Sequence, residues 1–136
     1  MTSDETLHPP QQPTILIAED DPDQSDMLRE ALQDEGYSVE TAFSGDVAYR
    51  KLLERHYDLV ILDIRMPGLD GATVLKAYRL KHRIEDAPVL VVSAFATEPD
   101  VKRYRAAGAN ACLAKPYDIS ELLSVVESLI SHGARS

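Results

Sequence analysis

The chain has a single cysteine, Cys112, among its 136 residues. That excludes an internal disulfide and a cysteine-based zinc site. Long apolar runs are missing as well, and none approaches the roughly 20 residues of a membrane-spanning helix. Met1 to Pro13 is polar and acidic and carries three prolines, without the basic start and apolar stretch of a secretory signal. Residues 1–13 therefore read as a loose leader on a cytoplasmic protein. Positive charge is scarce: 14 Lys and Arg face 23 Asp and Glu, for a net charge of −9. This argues against direct nucleic-acid binding, because duplex affinity comes largely from neutralising phosphates. His8, His56, His82 and His132 show no i, i+4 ligand spacing and read as surface residues.

What is present is the composition of one globular domain, with 44% apolar and 27% charged residues. Five short apolar runs recur, at Thr14 to Ala18, Ser38 to Ala42, Leu59 to Leu62, Val89 to Val92 and Ala111 to Ala114. The first, third and fourth are nearly continuous in Ile, Leu and Val, as in parallel strands covered on both faces. The second alternates more and suits an edge. Between the runs lie helical spacings: Met27-Leu28 with Ala31-Leu32, then Ala48-Tyr49 with Leu52-Leu53. A last stripe holds Ile119, Leu122, Leu123, Val126, Leu129 and Ile130.

Boundary residues agree with these elements. Asp21-Pro22 reads as an N-cap with proline at the first helical position. Ser44 and Thr97 are further caps, and Asp118 with Glu121 resembles a capping box. Gly36 and Gly108 fall where helices stop and can take positive φ. Strands alternating with helices predict a doubly wound α/β fold, its parallel sheet of five strands covered by helices on both faces. The domain spans 14–131 and a short tail 132–136.

In such a sheet, ligands bind beyond the carboxyl ends of the strands. Glu19, Asp20 and Asp21 follow the first run, Asp63 the third, Ser93 the fourth and Lys115-Pro116 the fifth. Two carboxylates about 5 Å apart repel by about 3 kcal/mol at an effective dielectric of 20. A hard divalent ion, Mg²⁺ or Mn²⁺, relieves that repulsion and leaves room for phosphoryl oxygens. Asp63 is then a candidate nucleophile, Lys115 a cation for one phosphoryl oxygen and Ser93 a donor to another. Asp21 reads as a helix cap alone.

These segments, Ile15 to Asp21, Asp58 to Asp63 with Met66 to Gly71, Val91 to Ala94 and Ala114 to Pro116, resemble the receiver domains of two-component response regulators, over Thr14 to Ile130. The resemblance implies a flavodoxin-like three-layer sandwich with strand order 2-1-3-4-5, the order the family is known for. It implies that Asp63 is the phosphoacceptor and that Glu19, Asp20, Asp63 and the backbone carbonyl of Arg65 hold Mg²⁺ or Mn²⁺. Ser93 and Lys115 complete the catalytic set, and the Lys115-Pro116 bond is expected to be cis. The implied donor is a sensor histidine kinase or a histidine phosphotransfer protein, and the domain catalyses only its own phosphorylation and dephosphorylation.

Two departures bear on mechanism. Cys112 stands where the family often places the Tyr or Phe of a rotameric switch. Arg65 and Phe95, each two residues beyond a site residue, are placed to cover the phosphoryl pocket and slow self-dephosphorylation. The resemblance implies a possible homodimer through the fourth helix, fifth strand and fifth helix, the surface that carries the basic segment Val101 to Arg105. Its apolar stripe is weak, only Val101, Tyr104 and Ala107, and Tyr117 either joins that surface or packs.

A stand-alone receiver is favoured over a fragment of a longer response regulator with a separate output domain. A Mg²⁺-dependent aspartyl-phosphate phosphatase of the haloacid dehalogenase type wants an acid two residues after the nucleophile, where this chain has Arg65. A flavodoxin-like cofactor binder would need a phosphate loop where Glu19, Asp20 and Asp21 stand. A receiver that binds partners without being phosphorylated has no need of the acidic pair, Ser93 and Lys115.

Overall fold

The computed structural model describes residues 12–83 and 87–134. Strands and helices alternate as β1 (Thr14–Ala18), α1 (Pro22–Asp34), β2 (Ser38–Ala42), α2 (Gly45–Glu54), β3 (Leu59–Asp63), α3 (Gly71–Arg79), β4 (Val89–Ser93), α4 (Glu98–Ala107), β5 (Ala111–Ala114) and α5 (Ile119–Ala134). The sheet is parallel, in the order β2-β1-β3-β4-β5. Its three central strands are those with the continuous apolar runs, and the alternating β2 takes an edge, as expected.

Strand periodicity divides the core in two. Leu16, Val60, Leu62, Val89 and Val91 face one cluster with Ala48 and Leu52 of α2, Val74, Leu75 and Tyr78 of α3, and Tyr104 of α4. Ile15, Ile17, Leu59, Ile61, Leu90 and Val92 face the other, with Leu28 and Leu32 of α1 and Leu122 and Val126 of α5. The sheet is thus sandwiched between α1 and α5 on one side and α2, α3 and α4 on the other. Each Leu or Ile buried this way contributes about 1.5–3 kcal/mol. No described helix is long and apolar enough to cross a membrane.

The helix stripes are narrower than the sequence pattern implies. Leu28 and Leu52 are buried, but their neighbours Met27 and Leu53 are each 51% exposed. Successive residues on a helix diverge by about 100°, so Met27 and Leu53 turn outward, while Tyr49 beside Ala48 still packs at the core margin. His82 is a second correction: it is half-buried, with its ring 4.6 Å from that of Tyr78. His56 is exposed and pairs with Asp58, while His8 and the His132 side chain lie outside the described residues.

The caps place the helices. Asp21 accepts from the Asp23 and Gln24 N–H groups at the start of α1. Ser44 accepts from the Val47 N–H. Thr97 donates both its N–H and its hydroxyl to Asp100. Asp118 accepts from the N–H and hydroxyl of Ser120. Gly36 and Gly108 both take positive φ, and the Lys115-Pro116 bond is cis. Helix α5 continues to Ala134, past the expected domain end at 131. Of the expected leader, residues 1–11 lie outside the described residues, and the Pro13 carbonyl accepts from the Ser38 N–H.

Candidate functional site

The β1–β3 register pairs Ala18 with Leu62. The next residue on each strand is acidic, so Glu19 and Asp63 emerge side by side at the carboxyl edge of the sheet. Each is only 4% exposed. Asp20 is exposed, and one carboxylate oxygen from each of Glu19, Asp20 and Asp63 lies within 4.8 Å of the others. Backbone packing holds this corner. The Gly71 N–H donates to the Ile64 carbonyl, and a Cβ at Gly71 would sit 2.4 Å from the Asp63 carbonyl oxygen. Only glycine lets α3 start so close behind Asp63.

Lys115 follows β5 directly, and its N–H donates to the Ser93 carbonyl at 2.8 Å. Its side chain crosses the end of β4 to the acidic pair. Lys115 Nζ donates to Glu19 Oε1 at 2.7 Å and to Asp63 Oδ2 at 2.9 Å. The second oxygens accept from backbone: Glu19 Oε2 from the Asp21 N–H at 3.1 Å, and Asp63 Oδ1 from the Arg65 N–H at 3.0 Å. An open pocket of about 310 Å³ covers these groups, lined among others by Asp20, Arg65 and Ala94. Asp21 lines its rim, but its carboxylate is held by α1.

Electrostatics follow from this packing. Burial raises the Glu19 carboxyl above its ordinary value, the bonds from Lys115 and the Asp21 backbone oppose this, and Asp63 adds to it. Burial alone would lower the Lys115 ammonium, but its bonds to Glu19 and Asp63 outweigh that and raise it. Three carboxylates converging beside one ammonium offer hard oxygen donors with a net negative charge, the chemistry that suits a divalent cation such as Mg²⁺.

Ser93 is brought to the same edge, 1% exposed, but its hydroxyl is engaged elsewhere. Ser93 Oγ accepts from the Phe95 N–H at 2.9 Å and lies 3.3 Å from the Tyr104 hydroxyl. Tyr104 in turn donates to the Phe95 carbonyl at 2.8 Å. Sequence reasoning placed Tyr104 on a weak apolar stripe and missed this role. A buried phenol needs a partner, but the burial of Tyr104 is set by the packing of α4 and leaves no signal in the sequence.

Arg65 and Phe95 meet at the rim. The guanidinium carbon sits 4.3 Å from the ring centroid, a cation–π stack bridging the loops after β3 and β4. Cys112 is half-buried on β5; burial pushes its thiol up, and Arg105 partly offsets this. Tyr117 is also half-buried and packs against the α1–α5 core. On α4, Lys102, Arg103 and Arg105 are exposed.

Comparison with known proteins agrees with this arrangement. The response regulator receiver domain family matches residues 15–127. The DNA-binding dual master transcriptional regulator RpaA of Synechocystis is 36% identical over 87% of this chain and 49% of its own length. The transcriptional regulatory protein PrrA of Mycobacterium tuberculosis is 37% identical over 87% of this chain and 50% of its own. The chain thus spans about half the length of the curated relatives it matches. Among solved structures, the response regulator TrrA of Thermotoga maritima, in complex with Mg²⁺ and BeF, is 35% identical. It covers 87% of this chain and 99% of its own, with a TM-score of 0.77. With strand order, strand-end acids and sequence in agreement, the chain belongs to the response regulator receiver domain family of two-component signalling.

Proposed function

We propose that Asp63 is the phosphoacceptor of this receiver. The observation that carries the reading is the bridge from Lys115 Nζ to both Glu19 and Asp63. It fixes a buried carboxylate beside an ammonium, with both groups lining the open pocket at the sheet edge. One Asp63 oxygen attacks phosphorus, the bond from phosphorus to the donor's imidazole nitrogen breaks, and the electron pair leaves with that nitrogen. Glu19, Asp20, Asp63 and the Arg65 backbone carbonyl would hold Mg²⁺ or Mn²⁺, which when bound supplies charge neutralisation for the phosphoryl oxygens. Lys115 neutralises one phosphoryl oxygen, and Ser93 donates its proton to another once it leaves Tyr104.

The donor is a histidine kinase or a histidine phosphotransfer protein, met in the cytoplasm. Phosphorylation changes what the surface of α4, β5 and α5 binds, a second copy included. The chain catalyses no reaction besides its own phosphorylation and dephosphorylation.

Incubation with acetyl phosphate and Mg²⁺ followed by intact-mass measurement tests this. Wild type gains one phosphoryl group and Asp63→Asn gains none. Equal labelling of the two proteins would remove Asp63 from the role.

A further inference from the structure

The hydrogen bonds around Ser93 close a ring, and its protons can be assigned. A serine or tyrosine hydroxyl has one proton to give. Tyr104 gives its proton to the Phe95 carbonyl, so the contact between Ser93 and Tyr104 is a donation from serine to phenol oxygen. The Phe95 N–H closes the ring on Ser93 Oγ. The Ser93 proton is therefore already committed, and the pocket over Asp63 is lined by Ala94 and not by the serine. Cys112 sits at the margin of the core cluster that holds Tyr104. An aromatic hydroxyl thus reaches Ser93 from α4, while β5 contributes only a small side chain.

We infer that Tyr104 is a positioning residue that competes with the phosphoryl group for the Ser93 proton. Its hydroxyl holds the unphosphorylated state, and its release couples the site to α4. The inference rests on the reading of Asp63 as phosphoacceptor and of Ser93 as a donor to the phosphoryl group. When Ser93 turns to the phosphoryl oxygen, Tyr104 keeps only the Phe95 carbonyl. The segment from Ala94 to Thr97 then loses one of its ties to α4, whose outer face carries Lys102, Arg103 and Arg105.

Because the bond from Ser93 to Tyr104 exists only in the free state, removing it favours the phosphorylated form. The test is titration with beryllium fluoride in the presence of Mg²⁺, followed by backbone amide shifts, for wild type, Tyr104→Phe, Ser93→Ala and the double variant. Tyr104→Phe keeps the ring and its packing, and tightens apparent affinity about three- to tenfold, the worth of one neutral hydrogen bond. In the Ser93→Ala background the same change leaves affinity unaltered. Unchanged or weaker binding by Tyr104→Phe, or an equal gain in both backgrounds, overturns the inference. Asp63→Asn, titrated alongside, should bind no mimic, and binding by Asp63→Asn as tight as wild type would instead overturn the phosphoacceptor reading beneath it.

Discussion

Replacing Lys115 with methionine keeps most of the side-chain volume and removes the ammonium that bridges Glu19 and Asp63. Those carboxylates have oxygens within 4.8 Å of each other. At an effective dielectric of 20, two charges at that separation repel by about 3.5 kcal/mol. Removing one member of a buried ion pair costs about 3–5 kcal/mol in comparable cases. Water reaching the open pocket screens part of this, so a loss of about 2–3 kcal/mol near neutral pH is expected, or roughly 10 °C in Tm.

The loss depends on pH in a defined direction. In wild type the Lys115 ammonium has a raised folded-state pKa, so its contribution is complete below its ordinary value of 10.5 and disappears as pH climbs through the folded value. In Lys115→Met, Glu19 loses the cation that opposed its upward shift. The folded variant then binds more protons than the unfolded chain. Its stability falls as pH rises from the ordinary carboxyl value of 4.5 through the folded one. Urea denaturation of both proteins in chelator, at about pH 5 and about pH 7.5, reads the difference. The gap should be small in acid and widen toward neutrality. A variant as stable as wild type at the higher pH, or a gap that ignores pH, would refute the reasoning.

Gly71→Ala would improve helix propensity by about 1 kcal/mol on an isolated helix. Here its Cβ meets the Asp63 carbonyl at 2.4 Å, so a net loss of about 1–3 kcal/mol in urea denaturation is expected, and a gain would show that α3 can move. Arg65→Ala and Phe95→Ala each break the stack over the pocket rim. Loss of phosphoryl from protein labelled with acetyl phosphate should be slow in wild type and about two- to fivefold faster in each variant, as befits a contact of about 0.5–1 kcal/mol. A wild-type half-life of seconds in Mg²⁺ would contradict the covering role.

How far the sequence carries can be seen at particular residues. Ile15 to Ala18, Leu59 to Leu62 and Val89 to Val92 announce central strands, because a strand buried on both faces tolerates nothing polar. Glu19, Asp20, Asp63 and Lys115 were legible because chain order in this fold dictates which strand ends share an edge. Met27 and Leu53 misled because apolar identity alone does not say which of two adjacent helical positions faces the sheet. The partners of Ser93 were out of reach. Tyr104 is eleven residues away, and only the packing of α4 on β4 and β5 decides that its hydroxyl ends beside the serine. The Arg65–Phe95 stack was half legible: both residues were placed at the rim, but their mutual contact depends on two loop conformations.

Lys115 meets Glu19 across 96 residues of chain and Asp63 across 52. Contacts this distant in sequence demand the largest loop closures, and topology makes them slow to form. A chain with β1 and β3 paired but β5 undocked has two acids at the sheet edge with no cation between them. On the proposed role of Asp63, competence to accept a phosphoryl group is then withheld until β5 is in place. The Lys115 bridge would make the site a completeness check on folding.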